Sequence, residues 1–410
     1  MGVVLMPCLQ LEVRHSLDDF SRGKGRRVAA THPLIDSRHT GGRPFHKYSR
    51  TAAGKPSRLA PFRIWQKTMG NPMTKTTTSM TAFFAALLST TAASASDSGP
   101  ACTKALSAPV EFRISHQNSP SSPIHPHLEK VVELVAKETD GRIKLAVFPN
   151  AQLGGEMQAL EQAALGQNII FYTTAGALAT AGVPSFSVLN GPFLTATLEE
   201  AQKLEASDVV GSMEDDLAEK GNLRVLALNW FDSPRSILGH KGYAKPEDLV
   251  GTKMRVPEAP AYLRTFELLK SPPMALPFSE LYLALQQGVV DAAEGGIDGM
   301  ANANLMEVAD TVTVTNHFRI FYGFVMSEDL FAALPEPCQK VMSEAFAAEG
   351  ASYSAQMDGI TAKRVEDLKA KGIKFVAADQ DAYRKATQAF YTMFPEWPAG
   401  LVDQVRAAMK

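Results

Sequence analysis

The stretch VGTKMRVPEAPAYLRTFELLKSPPMALPFSELYLALQQGVVD, Val250 to Asp291, decides how this chain is read. Within Thr252–Val256, Met254 and Val256 point to one face of a strand and Lys253 and Arg255 to the other. A helix, a strand and a second helix are expected to follow, which makes an α/β unit. Arg255 then stands near the C-terminal end of its strand, the edge at which open α/β sheets bind small molecules. Its planar guanidinium suits a carboxylate held by two parallel hydrogen bonds.

Outward from this unit the same alternation continues. Upstream, Val110–Ser115 alternates as a strand, and Leu128, Val131, Val132 and Val135 make one apolar helix face. Asp140-Gly141 ends that helix. Strands are expected at Ile143–Val147, Asn168–Thr173 and Leu223–Leu228, with helices at Glu156–Leu165 and Glu199–Ala218. This β-α-β-α-β order predicts a mostly parallel sheet covered by helices on both faces. A second α/β set runs from near Arg235 to about His317, with strands near Thr252–Val256, Met274–Leu276 and Val289–Ala293. After it, Glu336–Lys371 reads as one long helix, which Gly350 and Gly359 weaken and permit to bend. A helix of that length spans more than one domain of ordinary size. No internal repeat is visible.

The 410 residues suffice for two domains and a large core. The formal charge of −2 is unevenly spread. Residues 1–72 carry 13 Lys and Arg against 4 Asp and Glu, so the other 28 basic and 39 acidic residues leave the body near −11. An acidic body argues against nucleic acid as a partner. Residues 1–72 lack periodicity and read as a non-native or disordered extension. From Met73 a basic start, the apolar run Met80–Leu88 and Ala93-Ser94-Ala95 read as a signal peptide, residues 73–95, cleaved near Ala95. An organelle-targeting presequence is the alternative. The apolar run is too short to span a membrane. Of the three cysteines, Cys8 falls in the extension. Cys102 and Cys338 could pair in an oxidising compartment, but nothing in their spacing demands a bond, and two unpaired thiols are the expectation.

Several motifs carry a resemblance. They are G-T-K-M-R-V-P from Gly251, P-F-S-E-L-Y from Pro277, F-P-N-A-Q-L-G-G from Phe148, E-Q-A-A-L-G from Glu161, K-P-E-D-L from Lys245 and T-N-H from Thr315. In order and spacing the chain resembles, over about Val110 to Met409, the solute-binding proteins of tripartite ATP-independent periplasmic (TRAP) transporters, the DctP family. The resemblance implies a periplasmic-binding-protein-like fold, two α/β domains with a cleft between them and a long domain-spanning helix. It implies an interleaved chain, with domain I formed by 105–232 plus 320–360 and domain II by 233–319 plus 361–410. It also implies a periplasmic location, a small organic acid as ligand, the small and large TRAP membrane subunits as partners, and uptake driven by an ion gradient. No cofactor is expected, and a monomer is the default. An enzyme on the same scaffold, or a ligand sensor feeding a periplasmic kinase domain, are the rival readings.

The resemblance assigns Arg255 to the ligand's carboxylate; the alternative is an arginine paired with an internal Glu or Asp. Arg235, in Ser233-Pro-Arg-Ser, matches an arginine that touches the same ligand, although Asp232-Ser-Pro replaces the family's Gly-rich lead-in. The alternative is a surface arginine. Phe278 matches a ring packed on the ligand, or is a core residue. In Asp291-Ala-Ala-Glu-Gly-Gly, Gly295 stands where relatives place a ligand-binding asparagine. That suggests a different or bulkier ligand group near Gly295 and Gly296, or a turn glycine with positive φ. Asn118 and Thr174 lie at strand ends of the first domain. Trp230 is a cleft wall or core filler, and His317 a cleft residue or a structural hydrogen-bonder. No catalytic motif is present. His125-Pro-His127 is read as a solvated loop rather than a metal site, and Glu214-Asp215-Asp216 as an exposed helix face.

Overall fold

In the computed structural model the described residues are 98–410. The expected extension 1–72 and the expected signal peptide 73–95 lie outside them. The strands in chain order are β1 (Val110–Ser115), β2 (Ile143–Phe148), β3 (Ile169–Thr174), β4 (Leu223–Phe231), β5 (Ser236–Gly239), β6 (Met254–Val256), β7 (Pro273–Ala275), β8 (Ala292–Gly295), β9 (Thr311–Val314), β10 (Phe321–Ser327) and β11 (Lys374–Ala377). They form two sheets, β2-β1-β3-β10-β4 and β11-β9-β5-β8-β6-β7. Each sheet anchors one lobe.

Side-chain alternation explains why both sheets are covered twice. In β3, Ile170 and Tyr172 enter one core and Ile169 and Phe171 another. In the second sheet Ile237 and Ala292 face one core, Leu238 and Ala293 the other.

Neither sheet is purely parallel. β10 runs antiparallel to both β3 and β4, and β5 antiparallel to both β8 and β9. Each reversed strand is the first that the chain makes after crossing from the other sheet, so it enters from the opposite edge. The helix expected over Glu199–Ala218 is two helices, Leu198–Glu205 and Asp208–Gly221, parted at Ala206-Ser207. Strand β8 begins later than expected, after a turn at Gly288, where φ is +68°. The shift brings Glu294 and Gly295 into the strand.

The long helix Glu336–Ala370 ties the lobes together. Its first half lies along β4: Trp230 Nε1 donates to the Phe346 carbonyl at 3.1 Å, and Ser354 Oγ donates to the Asn229 carbonyl at 2.7 Å. Its second half holds the second lobe, with Thr361 and Arg364 bonded to Asp298 and Leu368 buried in that lobe's core. Gly350 lies close against β4. A Cβ there would lie 2.2 Å from Asn229 Oδ1 and 2.7 Å from Trp230 Nε1, so the glycine serves contact with β4 rather than bending.

The segment 361–410, expected with the second lobe, is shared. β11 pairs with β9, and Tyr383 packs with Ile237 and Phe266. Leu401 and Val405 of the last helix, Leu401–Ala408, instead enter the core beneath the first sheet, beside Leu204 and Leu217.

Cys102 and Cys338 form a disulfide across 236 residues, contrary to the expected free thiols. The helix Ser98–Ala105 lies on the start of the long helix and brings together two fully buried sulfurs. A separation that large carries no pairing signal in sequence. Cys338→Ser is expected to lower the unfolding free energy by about 2–5 kcal/mol, seen as a lower urea midpoint. Reduction of the wild-type chain should reproduce that shift.

Candidate functional site

A cleft opens between the lobes at the C-terminal ends of the parallel strands, the edge anticipated for ligand binding. From the first lobe it takes Gln117 and Asn118 after β1, Glu156 at the start of the helix Glu156–Ala164, Tyr172 and Thr174 of β3, and Tyr322 of β10. From the crossing segment and second lobe it takes Asp232, Arg235, Arg255, Pro257, Leu276, Phe278, Gly295, Gly296 and Met300.

Arg255 is the central cation. It is 3 % exposed. Its Nε and Nη2 donate to the Leu276 carbonyl at 2.9 and 2.7 Å, and its Cζ lies 5.8 Å from the centre of the Phe278 ring. Among the described residues no carboxylate comes within ion-pair distance of it. Burial pulls its pKa down to about 10, so the group is still charged at neutral pH. A carbonyl and a ring face orient this guanidinium without neutralising it.

Arg235 is neither a surface arginine nor free. Nε and Nη2 grip Glu294 in a fork at 2.7 and 2.8 Å, and Nη1 donates to the Tyr322 hydroxyl at 2.9 Å. Burial opposes charge on both partners. The Glu294 carboxylate outweighs it for Arg235, holding that pKa well above the ordinary value. Arg235 and then His317 hold Glu294 below the usual carboxylate range. The internal pairing considered for Arg255 is thus found at Arg235.

Glu156, expected only as a helix start, is a cleft residue. One of its oxygens, Oε1, accepts from Thr173 Oγ1 at 2.9 Å, Thr174 N at 2.9 Å and Thr174 Oγ1 at 3.3 Å. Burial raises its pKa against those three bonds. Tyr172 and Tyr322 were also missed. Their rings stack at 4.9 Å and 10° beside Arg235. The signal for Glu156 was present, since it directly follows the Phe148–Gly155 motif.

Arg255, Arg235, Phe278, Gly295, Gly296, Asn118 and Thr174 therefore come together, whereas Trp230 and His317 do not line the cleft. Trp230 is fully buried in the first-lobe core against Phe324 and Tyr353. His317 is buried behind Glu294, with Nδ1 2.7 Å from Thr315 Oγ1 and Nε2 3.6 Å from Glu294 Oε2. Gly295 is not a positive-φ glycine. A Cβ on it would meet Met300 Cγ at 3.1 Å and Sδ at 3.2 Å. Met300 fills the space of the missing side chain, which corrects the expectation of extra ligand room at Gly295. The open position is Gly296, where a Cβ would meet nothing nearer than Asp232 Oδ2 at 3.9 Å.

His125 and His127 do not form the expected solvated loop: both lie in the helix Ile124–Glu138, where buried His127 bonds Glu349 at 2.7 Å and His125 Nδ1 lies 3.1 Å from His116 Nε2. The acidic run is not wholly solvated, because burial, with Glu205 nearby, pushes the Glu214 carboxyl up to about 8. Among the described residues no helix is long and apolar enough to cross a membrane.

The family model described as bacterial extracellular solute-binding protein, family 7 (DctP), matches residues 114–396. A solute-binding protein of Roseobacter denitrificans is 28 % identical over 70 % of this chain and 89 % of its own. The sialic acid-binding periplasmic protein SiaP of Vibrio cholerae is 26 % identical over the same shares, 70 % and 89 %. The crystal structure of a TRAP periplasmic solute binding protein from Ochrobacterium anthropi, with bound L-fuconate, is 28 % identical with a TM-score of 0.72. It covers 74 % of this chain and 100 % of that one.

Proposed function

The chain belongs to the family 7 bacterial extracellular solute-binding proteins, and on that premise we propose that it captures a small hydroxylated organic acid in the periplasm for a TRAP transporter. The lobes close on the ligand, Arg255 takes its carboxylate, and the loaded monomer docks on the membrane subunits. The observation that carries this reading is Arg255 itself, a buried guanidinium facing the cleft with no carboxylate partner among the described residues. Burying a charge is costly unless it is paired, and a ligand carboxylate would supply the pair. Closure removes water and strengthens that contact. Glu156, Thr174 and Asn118 supply polar groups for hydroxyls. The relatives support this ligand class, since L-fuconate and sialic acid are both hydroxylated carboxylates.

A thermal-shift screen against organic acids tests the reading. A true ligand at a hundred times its dissociation constant adds about 2.7 kcal/mol of stability, and Arg255→Ala should abolish the shift. A hit that persists in the variant would place the carboxylate elsewhere.

A further inference from the structure

We propose that Asp232 sets the specificity of this cleft: it takes a hydrogen-bond donor on the ligand, a hydroxyl or an ammonium, and rejects a second carboxylate. The inference rests on reading the cleft as an organic-acid site, and adds to it what the rest of the acid must carry.

Asp232 belongs to the segment that joins β4 to β5, and it is held from two sides. Oδ1 accepts the hydroxyl of Tyr353 from the long helix. The Asp232 backbone carbonyl accepts Arg319 Nη1 at 3.2 Å. The other carboxylate oxygen, Oδ2, receives no hydrogen bond among the described residues, and it stands over Gly296, the open position of the cleft wall. Two neighbouring side-chain donors are already used. Arg235 serves Glu294 and Tyr322, and Ser233 Oγ donates to Met357 and Asp358. No lysine or arginine lies within ion-pair distance of Asp232 among the described residues. Asp232 is half-buried, with its carboxylate on the cleft wall; a charge that loses solvent on closure needs a hydrogen-bond partner, and a ligand donor would supply it.

Burial pushes the Asp232 carboxyl up to about 6, with Asp298 adding to the rise and the Tyr353 hydrogen bond, Arg235 and Arg319 opposing it, so Asp232 is ionised at neutral pH. At neutral pH a second ligand carboxylate brought to Oδ2 would meet like charge, a repulsive element that discriminates between ligands. Arg255 and Asp232 together therefore ask for an acid at one position and a donor at another.

The test is isothermal titration at pH 7.5 with aldonates, aldarates, ω-amino acids and unsubstituted fatty acids of four to six carbons. Wild type, Asp232→Asn and Tyr353→Phe are compared, with melting temperatures recorded alongside. Wild type should bind an aldonate or an ω-amino acid at least tenfold more tightly than the aldarate and fatty acid of the same length. Which of the two leads separates a hydroxyl from an ammonium donor. Asp232→Asn should lose at least tenfold on the preferred acid and narrow the gap to the aldarate. Should that variant fail to fold, Tyr353→Phe, which releases Asp232 without removing it, should show the weaker discrimination. If the variants rank and bind the acids as wild type does, the proposal is overturned and the organic-acid reading stands. If wild type binds no acid of the panel, that reading falls and the proposal with it.

Discussion

Arg255→Met is expected to weaken binding of the ligand acid by about 100- to 5,000-fold while the ligand-free protein melts at the same temperature or higher. Removing one partner of a buried charge pair costs roughly 3–5 kcal/mol, and in the complex Arg255 is that partner. The free protein behaves oppositely. There the guanidinium is buried against a carbonyl and a ring, and desolvation opposes its charge. Folding therefore carries a cost that methionine removes, the trade of stability for function expected of a binding group. Titration calorimetry and a thermal melt on the same preparations check both halves. A variant that loses binding because it has lost its fold would contradict the account.

Glu294→Gln should produce the reverse pattern, a loss of about 3–5 kcal/mol in the free protein, because it strips the carboxylate from a buried Arg235. The pH dependence has a definite sign. Glu294 titrates below its ordinary value of 4.5 in the folded chain, so its contribution is fully present above that pH. It falls as pH drops below about 4.5 and is gone once the folded carboxylate protonates. The difference between wild type and variant in urea titrations should therefore be large at pH 7 and shrink in that acid window. A constant difference across pH would mean that the glutamate's charge is not what stabilises the pair.

These two arginines also show what sequence could and could not convey. Arg255 was legible because strand alternation and position, both local, place it at the binding edge. The employment of Arg235 was not, because its partner Glu294 lies 59 residues away on a neighbouring strand, and nothing local distinguishes a paired arginine from a free one. The strands β1 to β3 and the long helix followed from periodicity. The reversed strands β5 and β10 did not, since direction within a sheet is set by where the chain crosses between lobes. Gly295 was recognised as unusual, but its reason is a methionine five residues on that packs over it. The Cys102–Cys338 bond and the return of Leu401 to the first lobe are long-range outcomes of the same kind. Asp232 was noted only as a departure from a family pattern, and its free oxygen becomes visible only when the long helix is seen to occupy the other one.

The central claim is that Arg255 is the carboxylate clamp, and a crystal structure of the chain with its acid bound tests it most directly. The account predicts both lobes closed on the ligand, with two carboxylate oxygens about 2.7–2.9 Å from guanidinium nitrogens of Arg255 and the Arg235–Glu294 fork intact. An acid whose carboxylate sits on any other group, with Arg255 touching only the Leu276 carbonyl, would contradict it.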